Sequence, residues 1–237
     1  MRREHRRELK HDRFVDEIGT LSARAKENQR LLITVGVAVV ALALIVYGVY
    51  FYRANREQRA QGALSAAIET LDSPLLPPAG GQAQPGAKYK TDAERNAAAE
   101  NQFKDVKAKF GGTDAAGVAD LYLARFDAGR GDTATARKLL EQFIHDHPDH
   151  VLVGSARFSL YQLRIENGEA AQVANELQAE IAKPKPVLPA DTLLVLLAHA
   201  YDAQDNGVKA KEAYKRIATE YPDSPYAVEA QRRMGPA

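Results

Sequence analysis

Apolar residues are concentrated in one uninterrupted run near the N-terminus. Residues 31–52 read LLITVGVAVVALALIVYGVYFY, 22 positions without a formal charge, between Arg30 and Arg53. At about 1.5 Å per residue such a helix reaches about 33 Å, enough to cross a hydrocarbon core about 30 Å thick. Three tyrosines and a phenylalanine crowd its C-terminal end, which is typical of a membrane–water interface. The pattern predicts a transmembrane helix over 31–52.

Two other interpretations of this run are a cleaved signal peptide and a buried core helix. The apolar part of a signal peptide spans about 7–15 residues and ends at a small-residue cleavage site. This run is longer and ends in tyrosines and an arginine. We therefore prefer an uncleaved anchor.

Residues 1–30 form a charged tail with nine Lys/Arg and six Asp/Glu. Because basic residues are favoured on the cytoplasmic side of a membrane, the excess predicts a cytoplasmic N-terminus. Within about 20 residues of the span the bias is small, four basic residues before it against three after it. The rest of the chain would then be extracytoplasmic, and periplasmic in a bacterium with two membranes. The interleaved acidic residues favour a topology signal over a nucleic-acid-binding tail.

After the anchor, the pattern predicts a continuing helix over 53–72, which Asp72, Ser73 and Pro74 would end. Residues 73–90 read SPLLPPAGGQAQPGAKYK, without hydrophobic periodicity, and are predicted to form a flexible Pro/Gly-rich loop. A helix is expected to resume at Thr91, where Glu94 three residues later completes a capping-box pattern.

A period of 37 residues runs through the remainder of the chain. Small residues recur at Ala99, Ala136, Val173 and Ala210. Large residues follow four positions later, at Phe103, Leu140, Leu177 and Tyr214, and again three positions further on, at Val106, Phe143, Glu180 and Ile217. Glu180 is the exception to the apolar pattern. Five residues after this second set, Gly111, Pro148, Lys185 and Pro222 occupy the position where the helix would end. The helices that precede the later repeats carry Leu123, Leu160 and Leu197, one in each helix and again 37 residues apart. Paired helices of this kind must stack to bury their apolar faces, so the pattern predicts an α-solenoid over 91–237 that ends in a capping helix.

This repeat resembles the tetratricopeptide repeat, whose standard unit of 34 residues is shorter. The fold class expected is therefore all-α, one transmembrane helix followed by a tetratricopeptide-like α-solenoid. The order of parts, with FKDVKAKFGGTDAAGVADLYLARFDAGRGD and the repeats after it, resembles the ancillary subunit of the bacterial SecYEG translocon. That resemblance implies an inner-membrane anchor and a periplasmic repeat domain that contacts a membrane-bound chaperone and emerging secreted chains. The stretch AYKRIATEYPDSPYAVEAQRRM is also similar to the periplasmic cell-division coordinator that binds the Tol system.

The composition and the motifs argue against catalysis. Lys and Arg total 32 against 31 Asp and Glu, and there is no cysteine. These counts exclude a broadly basic nucleic-acid binder, a thiol nucleophile and a cysteine-ligated zinc site. The sequence HDHPDH at 145–150 offers the one candidate metal cluster, but Pro148 occupies the breaker position of the repeat, so a structural turn is preferred. The sequence also lacks a phosphate-binding loop with the Lys-Ser/Thr ending and a nucleophile elbow. We expect no enzyme activity, no cofactor and no metal.

In tetratricopeptide folds the first helix of each pair lines the concave face. Applied to this sequence, the resemblance implies a partner-binding groove of three rows: Val118, Ser155 and Thr192; Leu121, Phe158 and Val195; Arg125, Gln162 and His199. The apolar middle row favours an apolar or amphipathic partner segment. That row could equally pack as core, since the pattern alone does not fix helix phase. The related chaperone-docking clamp grips a terminal carboxylate with Lys and Asn, and these rows contain neither residue. We therefore do not expect recognition of acidic C-terminal tails.

The leading functional hypothesis is a non-enzymatic, membrane-anchored scaffold that binds proteins during secretion or envelope folding at the translocon. Its partners would be the translocon or a membrane-bound chaperone, unfolded or secreted clients, and the bilayer through residues 31–52. The alternatives are a periplasmic adaptor of the Tol and cell-division machinery, and a structural repeat protein that self-associates.

Overall fold

The computed structural model describes residues 29–78, 81, 82 and 84–235. All but the last two residues of the charged tail predicted at 1–30 lie outside this part of the chain. The described helices, in chain order, are α1 (Gln29–Asp72), α2 (Asp92–Phe110), α3 (Asp114–Gly129), α4 (Thr133–Asp146), α5 (Val153–Arg164), a π-helical turn (Ile165–Glu169), α6 (Ala170–Ile181), α7 (Ala190–Asp202), α8 (Gly207–Glu220) and α9 (Ala227–Met234). Over the described residues, the all-α class predicted from the sequence is confirmed.

The chain divides after Asn55 into two units. In the first, residues 29–55 belong to α1, and the side chains described between 31 and 52 are exposed. By length and composition, α1 is the one described helix that could cross a membrane. The Thr34 hydroxyl donates a hydrogen bond to the carbonyl of Arg30 at 2.8 Å, so this polar group is satisfied within the helix.

The second unit begins at Arg56 and is built from helical hairpins. Residues 56–72 of α1 share a buried cluster with α2, to which they contribute Ala60, Leu64 and Ala67, and α2 contributes Phe103 and Val106. The later hairpins are α3–α4, α5–α6 and α7–α8, and α9 packs on α8. The repeated small residues Ala99, Ala136, Val173 and Ala210 are at most 1% exposed. The 37-residue period therefore marks the positions where the second helix of each hairpin enters the core.

Glu180, the exception in the period, occupies a buried position like its counterparts. Its Oε1 accepts a hydrogen bond from the backbone N–H of Val187 at 2.7 Å, and its Oε2 contacts the Lys183 ammonium at 2.5 Å. The hydrogen bond from Lys183 holds the pKa of the Glu180 carboxyl below its ordinary value. An acidic residue is tolerated here because it ties the following Pro-containing loop to the end of α6.

The buried residues form two clusters instead of one continuous core. The first contains residues between Ala60 and Leu163, and the second contains residues between Ile165 and Ala230. Helix α5 contacts both clusters, since Leu160 packs against the first cluster and Tyr161 packs against the second. In the middle hairpin, α6 packs mainly on α7 and only lightly on α5.

The described ends of the 73–90 segment are held together. Leu75 and Tyr89 form an isolated parallel bridge, and the Leu76 N–H donates to the carbonyl of Tyr89 at 2.8 Å. Arg95 donates to the carbonyl of Ser73 at 3.1 Å. The flexibility predicted for this segment also concerns residues 79, 80 and 83, which lie outside the described part.

Candidate partner-binding groove

Helix α3 supplies one wall of the candidate groove, and its N-terminus is fixed by two side chains. The Thr113 hydroxyl accepts a hydrogen bond from the N–H of Ala116 at 3.2 Å. The Glu57 carboxylate, on α1, accepts from the N–H groups of Asp114 and Ala115 at 2.9 and 3.1 Å. Because the first N–H groups of a helix have no partner within the helix, these acceptors stabilise its start. They also fix the rotation of α3 and thereby the face it presents.

One face of α3 carries four residues at helical spacing, of which the first three are half-buried and the last is exposed: Val118, Leu121, Tyr122 and Arg125. The first two, with Tyr122, border a cavity of about 190 Å³. Its other lining residues come from α4, α5 and the residue before α5: Leu140, Leu152, Ser155, Ala156 and Ser159. The cavity thus has apolar walls, with two serine hydroxyls on the α5 side.

A second cavity of about 220 Å³ adjoins the first and shares Leu140 and Ser159 with it. Its lining adds Arg125, Gln162 and Glu166, along with apolar residues of α3 and α5. We call the two cavities together the α3–α5 groove. It is apolar at the Val118 end and polar at the Arg125 end.

A wider cleft of about 670 Å³, the arginine cleft, is lined by α2, α3 and the C-terminal end of α1, and shares Tyr122 and Arg125 with the α3–α5 groove. Two of its three arginines, Arg95 and Arg130, form ion pairs. Arg95 pairs with Asp92 at 2.6 Å, and Arg130 pairs with Glu100 at 2.5 Å. Hydrogen bonds from Lys104 and then from Arg130 hold the pKa of the Glu100 carboxyl below its ordinary value. Arg125 has no ion-pair partner among the described residues, so its charge is available where the groove and the cleft meet.

Comparison with known proteins decides the family. A profile described as a tetratricopeptide repeat-like domain matches residues 26–216. The chain belongs to this family. The tetratricopeptide-like solenoid predicted from the 37-residue period is thereby confirmed, and folds of this kind are typically non-enzymatic scaffolds for protein–protein interaction.

This tetratricopeptide repeat-like protein is similar to a solved structure of a putative kinesin light chain from Podospora anserina with nearly identical TPR-like repeats. The sequence identity is 16%, the match covers 75% of this chain and 84% of that one, and the TM-score is 0.47. Among curated proteins, no sequence matches significantly.

The structure brings together five of the nine residues predicted for the groove of this repeat protein. Val118, Leu121 and Ser155 line the first cavity, and Arg125 and Gln162 line the second. Val118, Leu121 and Arg125 lie on α3, and Ser155 and Gln162 lie on α5, so each of the five lies on the first helix of its hairpin.

The remaining four predicted residues lie elsewhere. Phe158 packs against the second core cluster, and Thr192 donates its N–H to its neighbour Asp191 at 2.8 Å. The His199 ring lies 3.3 Å from a Glu229 carboxylate oxygen. The prediction that Val195 lines the groove is wrong for its side chain, because it is 0% exposed within the second cluster.

Tyr122 and Ser159 were missed in the sequence, although each lies four residues from a predicted row, Val118 and Ser155, on the same helix face. The role of Glu57 at the start of α3 could not have been found from the sequence pattern, because the N–H group that it accepts from, that of Asp114, is 57 residues away in the chain.

The rings of His147 and His150 lie 6.3 Å apart, and both contact Phe143. His147 stacks on Phe143 with ring centroids 5.2 Å apart, and its Nδ1 lies 3.0 Å from Asp114. His145 is exposed at the edge of a different cavity. The described residues contain no group of three or more His, Asp or Glu side chains placed to hold a metal ion.

Proposed function

We propose that this protein is a single-pass, membrane-anchored scaffold whose α3–α5 groove holds an apolar segment of partner polypeptides during secretion or envelope protein folding. The observation that carries the proposal is the groove itself, in which Val118 and Leu121 face Ser155 across an open, mostly apolar cavity. Open apolar grooves between repeat helices suit partner segments that bring apolar side chains. The partners proposed are the translocon or a membrane-bound chaperone, and unfolded or secreted clients.

Site-specific photo-cross-linking in intact cells tests this proposal. Benzoylphenylalanine is introduced at Leu121 in the groove and, as a matched control, at exposed Lys138 on α4. We expect cross-links to translocon or chaperone components from position 121 and not from position 138. The same products from both positions, or Tol and peptidoglycan-synthesis proteins in their place, would contradict the proposal.

An obstructing substitution complements the cross-linking. Ser155 is exposed and lines the groove, so Ser155→Trp should fill it without disturbing the core. We expect an unchanged melting temperature and loss of the cross-links from position 121. Lys138→Trp, on another surface, should leave them intact. Cross-links that persist in Ser155→Trp at full strength would exclude the groove as the binding surface.

The proposed orientation places residues 1–30 in the cytoplasm and the repeats outside it. Because the chain has no cysteine, a single cysteine can report on topology. Val208 is 73% exposed on α8, so Val208→Cys should react with a membrane-impermeant maleimide added to spheroplasts. A cysteine at Ser22 should react only after lysis. The reverse pattern would place the repeats in the cytoplasm and overturn the secretion hypothesis.

A further inference from the structure

A third surface feature lies outside both the α3–α5 groove and the arginine cleft. It is a cavity of about 430 Å³ between the C-terminal half of α4 and one face of α5, here called the α4–α5 pocket. Its apolar lining is Ile144, Pro148 and Leu160, and its polar lining includes Arg157, Tyr161 and Arg164. The α5 residues are spaced i, i+3, i+4 and i+7, so they form a single helix face.

Two of the charged residues that line this pocket, Arg164 and Glu141, already form ion pairs. Arg164 donates to Glu169 at 2.8 Å and, through both terminal nitrogens, to Glu176 at 2.7 and 2.8 Å. Arg137 holds Glu141, the one acidic lining residue, at 2.8 Å. The fixed charges at the pocket are therefore largely neutralised in pairs.

Two hydrogen-bond donors are not committed. Within the described part of the chain, neither the Arg157 guanidinium nor the Tyr161 hydroxyl has a hydrogen-bond partner, and both are only partly exposed. Burial, followed by the nearby Glu176 and Glu180 carboxylates, raises the pKa of Tyr161. Its hydroxyl therefore stays protonated at neutral pH and can donate.

We propose that the α4–α5 pocket binds a small carboxylic acid that carries an apolar body. The apolar body would lie against Ile144 and Leu160, and the carboxylate would accept hydrogen bonds from Arg157 and Tyr161. The volume is within the range of about 300–1,000 Å³ common for small-ligand sites with an apolar lining and few polar groups. Glu141, the one acidic lining residue, is paired with Arg137. An anion in the pocket therefore meets the Arg157 guanidinium, which has no ion-pair partner among the described residues.

A single-cysteine protection assay on the full-length protein in nanodiscs tests this site. His145, exposed at the pocket edge, is replaced in a chain without other cysteines, and maleimide labelling of His145→Cys is timed. The probes are 4-phenylbutyrate and its uncharged amide, 4-phenylbutanamide. At about 10 mM, where ligands of millimolar affinity are mostly bound, the acid should slow labelling several-fold and the amide should not. Val208→Cys, on α8, should label at the same rate throughout.

Two variants identify the donors. In the His145→Cys background, Arg157→Gln should raise the concentration of acid needed for half protection by about tenfold or more, and Tyr161→Phe by a smaller factor. Tyr161→Phe keeps the ring that packs on the second core cluster, so its melting temperature should be unchanged. Equal protection by acid and amide, protection that survives Arg157→Gln, or no protection at all would each overturn the proposal. None of these outcomes affects the groove, whose cross-linking is measured at another surface.

Discussion

At the junction of α5 and α6, the Arg164 side chain is 10% exposed and contacts two glutamates. Arg164→Gln would leave both carboxylates without their main donor. Breaking a fully buried ion pair costs about 3–5 kcal/mol. Because these carboxylates are partly exposed, we expect a loss of about 2 kcal/mol in the free energy of unfolding, measured by urea denaturation.

Arg216→Gln provides the matched control. Arg216 also forms two hydrogen bonds to one glutamate, Glu220, but the two side chains are 46% and 43% exposed. Exposed pairs contribute little, so the change should stay below about 0.5 kcal/mol. Equal losses in the two variants would show that burial does not strengthen the Arg164 contacts.

The same contacts predict a dependence on pH. Hydrogen bonds from Arg164 lower the pKa of the Glu169 and Glu176 carboxyls. A carboxyl whose pKa is lower in the folded state stabilises the fold above its unfolded pKa, and this contribution is lost as pH falls through the folded value. Between about pH 5 and pH 3, the wild-type protein should lose more unfolding free energy than Arg164→Gln. Parallel pH profiles would contradict the prediction.

Gly117 on α3 lies against the His147 ring. A Cβ atom at this position would lie 2.5 Å from His147 Nε2, too close for any real contact. Gly117→Ala should therefore displace His147 from Asp114. We expect a lower melting temperature and a loss of about 1–2 kcal/mol in the free energy of unfolding. Gly62→Ala on α1 meets nothing within 4 Å and should stabilise by up to about 1 kcal/mol. A stabilising effect of both substitutions would mean that His147 moves freely.

Single residues show where sequence reasoning succeeds and where it ends. The buried small and large residues of the 37-residue period were predictable, because each repeat must present them to its neighbour. Glu180 could be recognised as an exception, but its compensation by Val187 depends on the path of a loop. Thr91 does cap α2, with its hydroxyl 3.2 Å from the N–H of Glu94, whereas Glu94 accepts from Lys90 and not from Thr91.

At the scale of helices, the C-terminal part of α1 belongs to the repeat core. Ala60 is 0% exposed in the first cluster, whereas Ala66 on the same helix is exposed. Ala60→Leu should force two closely packed helices apart and cost about 1–3 kcal/mol, measured by thermal unfolding. Ala66→Leu should change stability by less than about 0.5 kcal/mol. Indifference to both substitutions would exclude a core role for this part of α1.

Helix phase explains why the Val195 side chain is buried whereas Leu121 lines a cavity. Helices α3 and α5 each keep one face outside the core, so half of their residues remain available to line cavities. Helix α7 packs against both α6 and α8, and its run Leu193–Ala198 is buried on every side. The sequence LLVLLA carried this signal, since a helix that is apolar all round is a buried one. The 37-residue alignment treated the three helices as equivalent and so missed the difference.

The loose α5–α6 hairpin could not have been predicted from the repeat pattern. Its turn contains Gly168 at φ 88°, a left-handed conformation that favours glycine, next to non-helical Asn167. The sequence ENGEA resembles the turns of the other hairpins in composition. What differs is the tertiary packing of α6, which lies mainly on α7. The α4–α5 pocket depends on how α4 and α5 pack together, which the repeat pattern does not specify either.

At the scale of the whole repeat unit, the two buried clusters predict that a core substitution destabilises its own cluster more than the other. Repeat domains are stabilised by contacts between neighbours, so a defect should be felt most within its own cluster. Leu194 is 0% exposed in the second cluster, and Leu194→Ala should cost about 2–5 kcal/mol. Hydrogen exchange should then accelerate strongly in α6–α8 and much less in α2–α4.

Val106→Ala, which truncates a residue 1% exposed in the first cluster, should give the opposite distribution. Its exchange should accelerate in α2–α4 and be nearly normal in α7 and α8, because α5 and the Arg164 contacts are the main connection between the clusters. When Arg164→Gln is added to either core variant, the accelerated hydrogen exchange should be confined still more to the cluster that carries the substitution, because the connection between the clusters is weakened. Uniform acceleration in both core variants would instead mean that the repeats unfold as one cooperative unit, and that the boundary between the clusters has no energetic consequence.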